Sequence, residues 1–153
     1  MRCPFRGNQE GGVRVSQNIL VVYKKNFEDV HDEALDIVKN TLEDISEELD
    51  IKVNYSAREK VSREDFIGRD LVVVLGGDGT LTSIAHSVDE KTPVMGVNSH
   101  PREMDNDGSY GFYMGSDPIN FGEDIQKALS NDAIVNILPR LQAEISTTSG
   151  NII

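Results

Sequence analysis

The chain has 153 residues, the length of one ordinary domain, which can bury a core without disulfides or structural metals. Its hydrophobic share is 38%, and no apolar run approaches the roughly 18 residues that a membrane span requires. The formal net charge of −11 argues against nucleic-acid binding, because phosphate backbones are bound by clustered Lys and Arg.

The amino-terminal region predicts no secretory leader. The sequence has one cysteine, Cys3, which excludes an internal disulfide and suits a reducing compartment, so we predict a cytoplasmic protein. Residues 1–17 contain glycines and arginines with almost no apolar periodicity, and they lack the apolar stretch of a signal peptide. We expect a flexible extension over residues 1–17 and an α/β nucleotide-binding domain over residues 18–132.

The first half of the chain alternates between strand and helix patterns. Ile19–Tyr23 and Leu71–Leu75 are short, continuous apolar runs, typical of strands buried on both faces of a parallel sheet. Between them, Val30–Leu49 carries apolar residues at helical spacing, with Asn26 as a candidate N-cap. Ile51–Tyr55 alternates with polar residues, which predicts a more exposed strand.

Further elements follow in the same order. Ser62 and Asp65 have capping-box spacing, which predicts a short helical turn toward Phe66 and Ile67. Leu81–Val88 offers one apolar helix face, and Pro93–Val97 reads as another buried strand. A helix start is predicted at Pro118, with an inward face of Phe121, Ile125, Ala128 and Leu129.

The carboxyl-terminal segment has a different pattern. Ile134–Leu138 and Leu141–Ile145 are strand-like and are separated by Pro139. The alternation before them predicts an open, mostly parallel, doubly wound, Rossmann-like α/β sheet. Ligands bind such sheets outside the carboxyl ends of the strands, and two glycine-rich segments follow predicted strands there.

The sequence Gly76-Gly77-Asp78-Gly79-Thr80 stands between the central strand and the next helix. Glycines allow close backbone approach, and their N–H groups form an anion site without lysines. A carboxylate there would repel phosphate unless Asp78 holds a divalent metal such as Mg²⁺ or accepts a proton from an attacking hydroxyl. Thr80 can cap the helix or donate to a phosphate. The alternative is a tight turn with Asp78 as a cap.

This turn resembles the motif shared by NAD kinases, diacylglycerol-type lipid kinases and phosphofructokinases. Thr92–Asn98, followed by Gly108–Tyr113, is similar to the second NAD kinase segment, which has a Gly-Val-Asn strand end and a Gly-x-x-Gly-Phe turn. The resemblance runs from about Ile19 to the end of the chain. It favours the NAD kinase family over lipid kinases.

The resemblance implies transfer of the γ-phosphoryl group of ATP to the 2′-hydroxyl of the adenosine ribose of NAD or NADH, with Mg²⁺ neutralising the phosphates. Asp78 would accept the proton of that hydroxyl or position it, and Gly79 would contact the dinucleotide. Gly76, Gly77 and Thr80 would line the pyrophosphate path, and Phe112 and Tyr113 would pack near the adenine. The predicted binding residues are Gly76, Gly77, Gly79, Thr80, Asn98, Gly108, Gly111, Phe112 and Tyr113.

The sequence also departs from the family pattern. The insertion Ser99–Asp107 is similar to the mitochondrial and plant NADH kinase branch, so NADH is an expected substrate beside NAD. Ser83 stands where several members have a basic residue. The family continues into a mostly β second domain that begins with an Asn-Glu pair, and this sequence contains no such pair. Residues 133–153 are therefore expected to be the first strands of a truncated β-rich second domain. Its unpaired hairpin edge would favour a homo-oligomer.

Several polar residues have less specific patterns. His31 is predicted on a helix surface, and His100 borders the expected crevice. Arg102 could meet a phosphate or could be a solvated loop arginine. Asp105 and Asp107 could help to bind a metal, or they could simply form turns.

Two other functions remain open at this point. One is a lipid kinase, which would use the same first motif on another acceptor. The other is a truncated, non-catalytic dinucleotide-binding module. The sequence leaves open whether the donor is ATP or polyphosphate.

Overall fold

The computed structural model describes residues 16–25, 29–103, 106–141 and 143. Its centre is a sheet of four strands in the order β2-β1-β3-β4, and every ladder in it is parallel. The strands are β1 (Gln17–Tyr23), β2 (Ile51–Ala57), β3 (Leu71–Gly76) and β4 (Val94–Asn98). The predicted parallel α/β sheet is confirmed, although Gln17, assigned to the extension, already belongs to β1.

Helices cover both faces of the sheet. They are α1 (Asp29–Glu48), a 3₁₀ turn (Arg63–Phe66), α2 (Asp78–Ile84) and α3 (Phe121–Leu129). Successive side chains of a strand point to opposite faces, so Ile19 and Val21 join the core under α1 and α3. Leu20 and Val22 join the second core, against the 3₁₀ turn and α2. The continuous apolar run of β1 therefore reflects burial on both faces.

Helix α1 is amphipathic, as its spacing predicts. Val38 and Leu42 are fully buried against the sheet, whereas Ile37 is 44% exposed and Leu49 is 39% exposed. The predicted cap Asn26 lies outside the described residues. No helix in the described part of the chain combines the length and apolar character needed to cross a bilayer.

The capping box at Ser62 is present. The backbone N–H of Ser62 donates to Oδ2 of Asp65 over 2.8 Å, and the Ser62 hydroxyl donates to the same oxygen over 3.0 Å. These two hydrogen bonds hold the pKa of the exposed Asp65 carboxyl below its usual value. The turn that they start is a single 3₁₀ turn, which buries Phe66 in the second core.

Helix α3 begins three residues later than predicted. Oδ1 of Asp117 accepts the N–H groups of Ile119 and Asn120, so residues 117–120 form an Asx-type turn. The predicted inward face is confirmed, because Phe121, Ile125, Ala128 and Leu129 are all buried.

The strand predicted at Ile134–Leu138 is not formed. Residues 134–141 have no regular secondary structure and pair with none of the described strands. A strand needs the N–H and C=O groups of a neighbour, and the described residues supply none here. Ile134 is 92% exposed and Leu141 is 100% exposed. The second predicted strand, Leu141–Ile145, falls mostly outside the described residues, as do residues 1–15.

Candidate active site

The glycine-rich turn joins β3 to α2 through an extended N-cap. Gly77 is this N-cap, with φ −112° and ψ −176°, and α2 begins at Asp78. Thr80 therefore does not cap the helix: it lies inside α2 and is 2% exposed. A Cβ on Gly76 would collide with the Thr80 side chain, whereas one on Gly79 would meet nothing within 4 Å.

The carboxylate of Asp78 joins the two glycine-rich segments. Its Oδ1 accepts the backbone N–H of Tyr113 over 2.8 Å, and its Oδ2 accepts that of Phe112 over 3.1 Å. The N–H of Met114 donates to the carbonyl of Gly111 over 3.0 Å, which closes the turn that presents both donors. Residues separated by more than thirty positions are thus brought together at one acid group.

Gly111 is the position in this turn that demands glycine. Its φ of +67° is in the left-handed region, and a Cβ there would lie 2.7 Å from Nδ2 of Asn98. Asn98 itself is 6% exposed. Its Nδ2 donates to the carbonyl of Ser109 over 3.1 Å, and its Oδ1 accepts the N–H of His100 over 3.3 Å. The amide of Asn98 therefore holds the loop that follows β4.

The insertion is closed at its base. The N–H of Ser109 donates to the carbonyl of His100 over 2.8 Å, and the N–H of Arg102 donates to the carbonyl of Ser109 over 2.9 Å. A Cβ on Gly108 would lie 2.6 Å from the His100 carbonyl oxygen. Gly108 therefore permits close backbone approach at this base, and no ligand is needed to explain it.

A cleft of about 260 Å³ lies at the carboxyl ends of β1, β3 and β4. Strand β1 has β2 on one side and β3 on the other, so the cleft is at the point where the strand order reverses. Its lining includes Lys24, His31, Gly77, Ser99, His100 and Asp107. Among these, sequence reasoning missed Lys24, which follows β1 as Gly77 follows β3.

His31 is buried, which corrects its prediction as a helix-surface residue. It is 7% exposed, and its Nδ1 lies 2.7 Å from Oγ of Ser99. The ring of His100 stands edge-on to it, with the ring centroids 6.1 Å apart. A single histidine in the first turn of α1 gave no signal for this, because its partner comes from beyond β4.

Three large, exposed aromatic side chains lie in or next to the segment whose N–H groups bind Asp78. Phe112 is 82% exposed, Tyr110 is 67% exposed and Tyr113 is 50% exposed. The rings of Tyr110 and Phe112 stack with centroids 5.6 Å apart and planes 25° apart. Cζ of Arg102 lies 4.4 Å from the Tyr110 ring centroid, so this arginine is at the stack and not in the cleft.

The structure offers less support for the predicted metal ligands and for a ligand contact at Ser83. Within the described residues, no three His, Cys, Asp or Glu side chains lie together in a way that could hold a metal ion. Asp105 lies outside those residues. The Ser83 hydroxyl donates to the carbonyl of Thr80 over 2.7 Å, so it is used within α2.

A parallel α/β sheet with a glycine-rich turn and an acid group at the carboxyl end of its central strand defines the class of phosphate-handling nucleotide-binding domains. Within that class, residues 20–133 match the family model described as the ATP-NAD kinase N-terminal domain. The chain therefore belongs to the ATP-NAD kinase family.

Curated relatives agree with this family. The chain is 32% identical over 132 residues to "NAD kinase" of Syntrophobacter fumaroxidans, an alignment that covers 82% of the chain and 43% of that protein. It is 50% identical over 34 residues to "NADH kinase" of Arabidopsis thaliana, covering 22% of the chain and 11% of that protein. It is 35% identical over 72 residues to "NAD kinase" of Clostridium botulinum, covering 46% of the chain and 25% of that protein. The chain thus spans less than half the length of each.

Proposed function

We propose that the protein containing this chain transfers the γ-phosphoryl group of ATP to the 2′-hydroxyl of the adenosine ribose of NAD or NADH. The observation that carries the proposal is the Asp78 carboxylate, held between the two glycine-rich segments by the N–H groups of Phe112 and Tyr113. The names of the relatives, NAD kinase and NADH kinase, support the same substrates.

On the acceptor side, Asp78 takes or positions the hydroxyl proton. Each of its oxygens accepts one backbone N–H and keeps lone pairs for a further donor. The ribose oxygen attacks the γ-phosphorus, the proton passes to the carboxylate, and ADP leaves with the electrons of the broken P–O bond. The open space around Gly79 supports a dinucleotide contact, since no neighbouring protein atom requires glycine there.

On the donor side, we place the polyphosphate in the cleft beside Gly77, where the Lys24 ammonium can neutralise part of its charge. A Mg²⁺ ion bound to the phosphates would neutralise more. Mg²⁺ keeps several waters and needs only one or two carboxylates, so a cluster of three acids is not required. Asp78 is the protein ligand that this arrangement would offer.

The decisive experiment compares Asp78→Asn with Asp89→Asn in the full protein. Asp89 also accepts two backbone N–H groups, from Lys91 and Thr92, but it lies away from the site. We expect Asp78→Asn to lower NADP formation on the order of 10²-fold or more, the range for a lost general base. Asp89→Asn should leave turnover unchanged. Equal turnover in both variants would refute the catalytic role of Asp78.

The same assay separates the alternatives. A lipid kinase would phosphorylate diacylglycerol and form no NADP from NAD and ATP. A non-catalytic module would bind the dinucleotide without turnover. A cytoplasmic location and a homo-oligomer complete the proposal; the exposed apolar side chains of residues 134–141 support association.

A further inference from the structure

The insertion places one cation, Arg102, against the ring of Tyr110. Because backbone hydrogen bonds close the loop between His100 and Ser109, Arg102 is fixed at the base of the loop and not at its tip. An isolated β-bridge between Pro101 and Ser109 marks the same base. Within the described part of the chain, no carboxylate pairs with the Arg102 guanidinium.

Arg102 and Phe112 both contact the ring of Tyr110. The Arg102 guanidinium carbon lies 4.4 Å from the Tyr110 ring centroid, and Tyr110 in turn stacks on Phe112 at 5.6 Å. Tyr110 is 67% exposed and Phe112 is 82% exposed, so this apolar surface is not core. An exposed aromatic ring held by a neighbouring ring is the kind of surface on which bases stack.

The geometry around Asp78 says which base would reach this stack. Phe112 donates its N–H to the Asp78 carboxylate, so its ring belongs to a residue in direct contact with the proposed catalytic group. In an adenosine, the base is attached to the ribose carbon next to the one that carries the 2′-hydroxyl. A hydroxyl held at Asp78 therefore leaves the adenine within reach of the Phe112 ring.

We infer that Arg102 and Tyr110 are positioning residues for the acceptor nucleotide, and that they fix the Phe112 ring against which the adenine stacks. The inference rests on the proposed function and assigns a role to the insertion. Arg102 acts through Tyr110 by a cation–π contact. Neither residue touches the reacting atoms, so both should act on dinucleotide affinity rather than on the chemical step.

Binding is measured on the 153-residue chain by titration with NADH, whose fluorescence is easily followed because the sequence contains no tryptophan. Tyr110→Leu removes the middle ring but keeps apolar bulk, and Tyr110→Phe keeps the ring. We expect the Kd for NADH to rise about tenfold in Tyr110→Leu and to stay unchanged in Tyr110→Phe. Arg102→Gln should raise it about threefold.

Two further measurements separate positioning from general damage. Urea unfolding should show equal stability for Tyr110→Leu and Tyr110→Phe, since Tyr110 is largely exposed. In the full protein, KM for the dinucleotide should rise in Tyr110→Leu while kcat changes less than twofold. A fall in kcat with unchanged KM would overturn the inference.

The outcomes also distinguish this inference from the proposed function. If the parent chain binds NADH but Tyr110→Leu and Arg102→Gln bind it equally well, the stack has no role and the proposed function stands. If adenosine diphosphate ribose binds and depends on Tyr110 while the full protein forms no NADP, the stack is supported and the kinase proposal fails. If the chain binds neither ligand, the inference is overturned.

Discussion

Asp78 shows how one residue can organise two distant segments. Its carboxylate links the start of α2 to the Gly111–Met114 turn, and it uses both oxygens to do so. A carboxylate that accepts two backbone N–H groups is fixed in direction before any substrate arrives. Such preorganisation is what a group needs if it is to meet a hydroxyl at a defined position.

Two glycines in the same turn should separate stability from binding. In Gly76→Ala the new Cβ would collide with Thr80, so we expect a loss of about 1–3 kcal/mol in the free energy of unfolding. In Gly79→Ala the Cβ meets open space inside a helix, so stability should stay level or rise by up to about 1 kcal/mol.

Urea unfolding measures the stability of both variants, and titration with NADH measures their affinity for the dinucleotide. We expect Gly79→Ala to weaken NADH binding while it remains folded, because the added methyl group occupies space proposed for the dinucleotide. If Gly79→Ala binds as well as the parent chain, Gly79 has no contact with the ligand.

The sequence predicts the residues of the turn better than their roles. Glycine and aspartate in this order require a strand before them and a helix after them, and both are present. Thr80 is one candidate for the cap by sequence, but Gly77 takes that position, because the helix already begins at Asp78. The burial of His31 depends on Ser99, and no local pattern reports a partner 68 positions away.

At the scale of elements, the 3₁₀ turn carries a pH-dependent contribution to stability. The folded-state pKa of Asp65 is lowered by its hydrogen bonds from Ser62. For a carboxyl with a lowered pKa, the stabilisation is complete above the unfolded value of 3.8 and is lost as the pH falls below it toward the folded value.

The variant Asp65→Asn tests this contribution. It should be less stable than the parent chain at pH 7, and the difference should shrink as the pH falls below 3.8, where the parent loses the same charge. Urea unfolding at both pH values measures the difference. An equal difference in stability at pH 7 and below pH 3.8 would mean that the ionised Asp65 carboxylate contributes nothing.

The helices also show where periodicity stops being informative. Ile37 and Leu42 both fit the apolar pattern of α1, yet Leu42 is fully buried and Ile37 is 44% exposed. The apolar stripe is wider than the sheet surface beneath it, and only the packed structure shows which edge is uncovered. Likewise, Pro118 marks a turn rather than a helix start because Asp117 binds the next two N–H groups.

At the scale of the whole molecule, the sheet and its two cores were predictable, because continuous apolar runs require burial on both faces. The segment after α3 was not. Ile134–Leu138 has strand composition, but composition cannot supply the neighbouring strand, and Arg140 instead donates to the carbonyls of Ala85 and Val88.

The exposed side chains of this segment predict association of the chain. Ile137 is 77% exposed and Leu138 is 61% exposed, and burying two such side chains stabilises a contact by more than about 1.4 kcal/mol, or tenfold. Sedimentation velocity should therefore show concentration-dependent association, weakened at least tenfold by Ile137→Ser with Leu138→Ser. Ile67→Ser, at an isolated exposed site, is the matched control. Equal behaviour of both variants would place the contact elsewhere.

The closed base of the insertion has a practical consequence for engineering. Because the hydrogen bonds between His100, Arg102 and Ser109 fix both ends of the loop, its length beyond Glu103 is uncoupled from the position of Asn98. Lengthening a closed loop is inexpensive, since each doubling costs only about 0.6 kcal/mol. The insertion is therefore a natural place to graft an epitope or a fluorescent reporter.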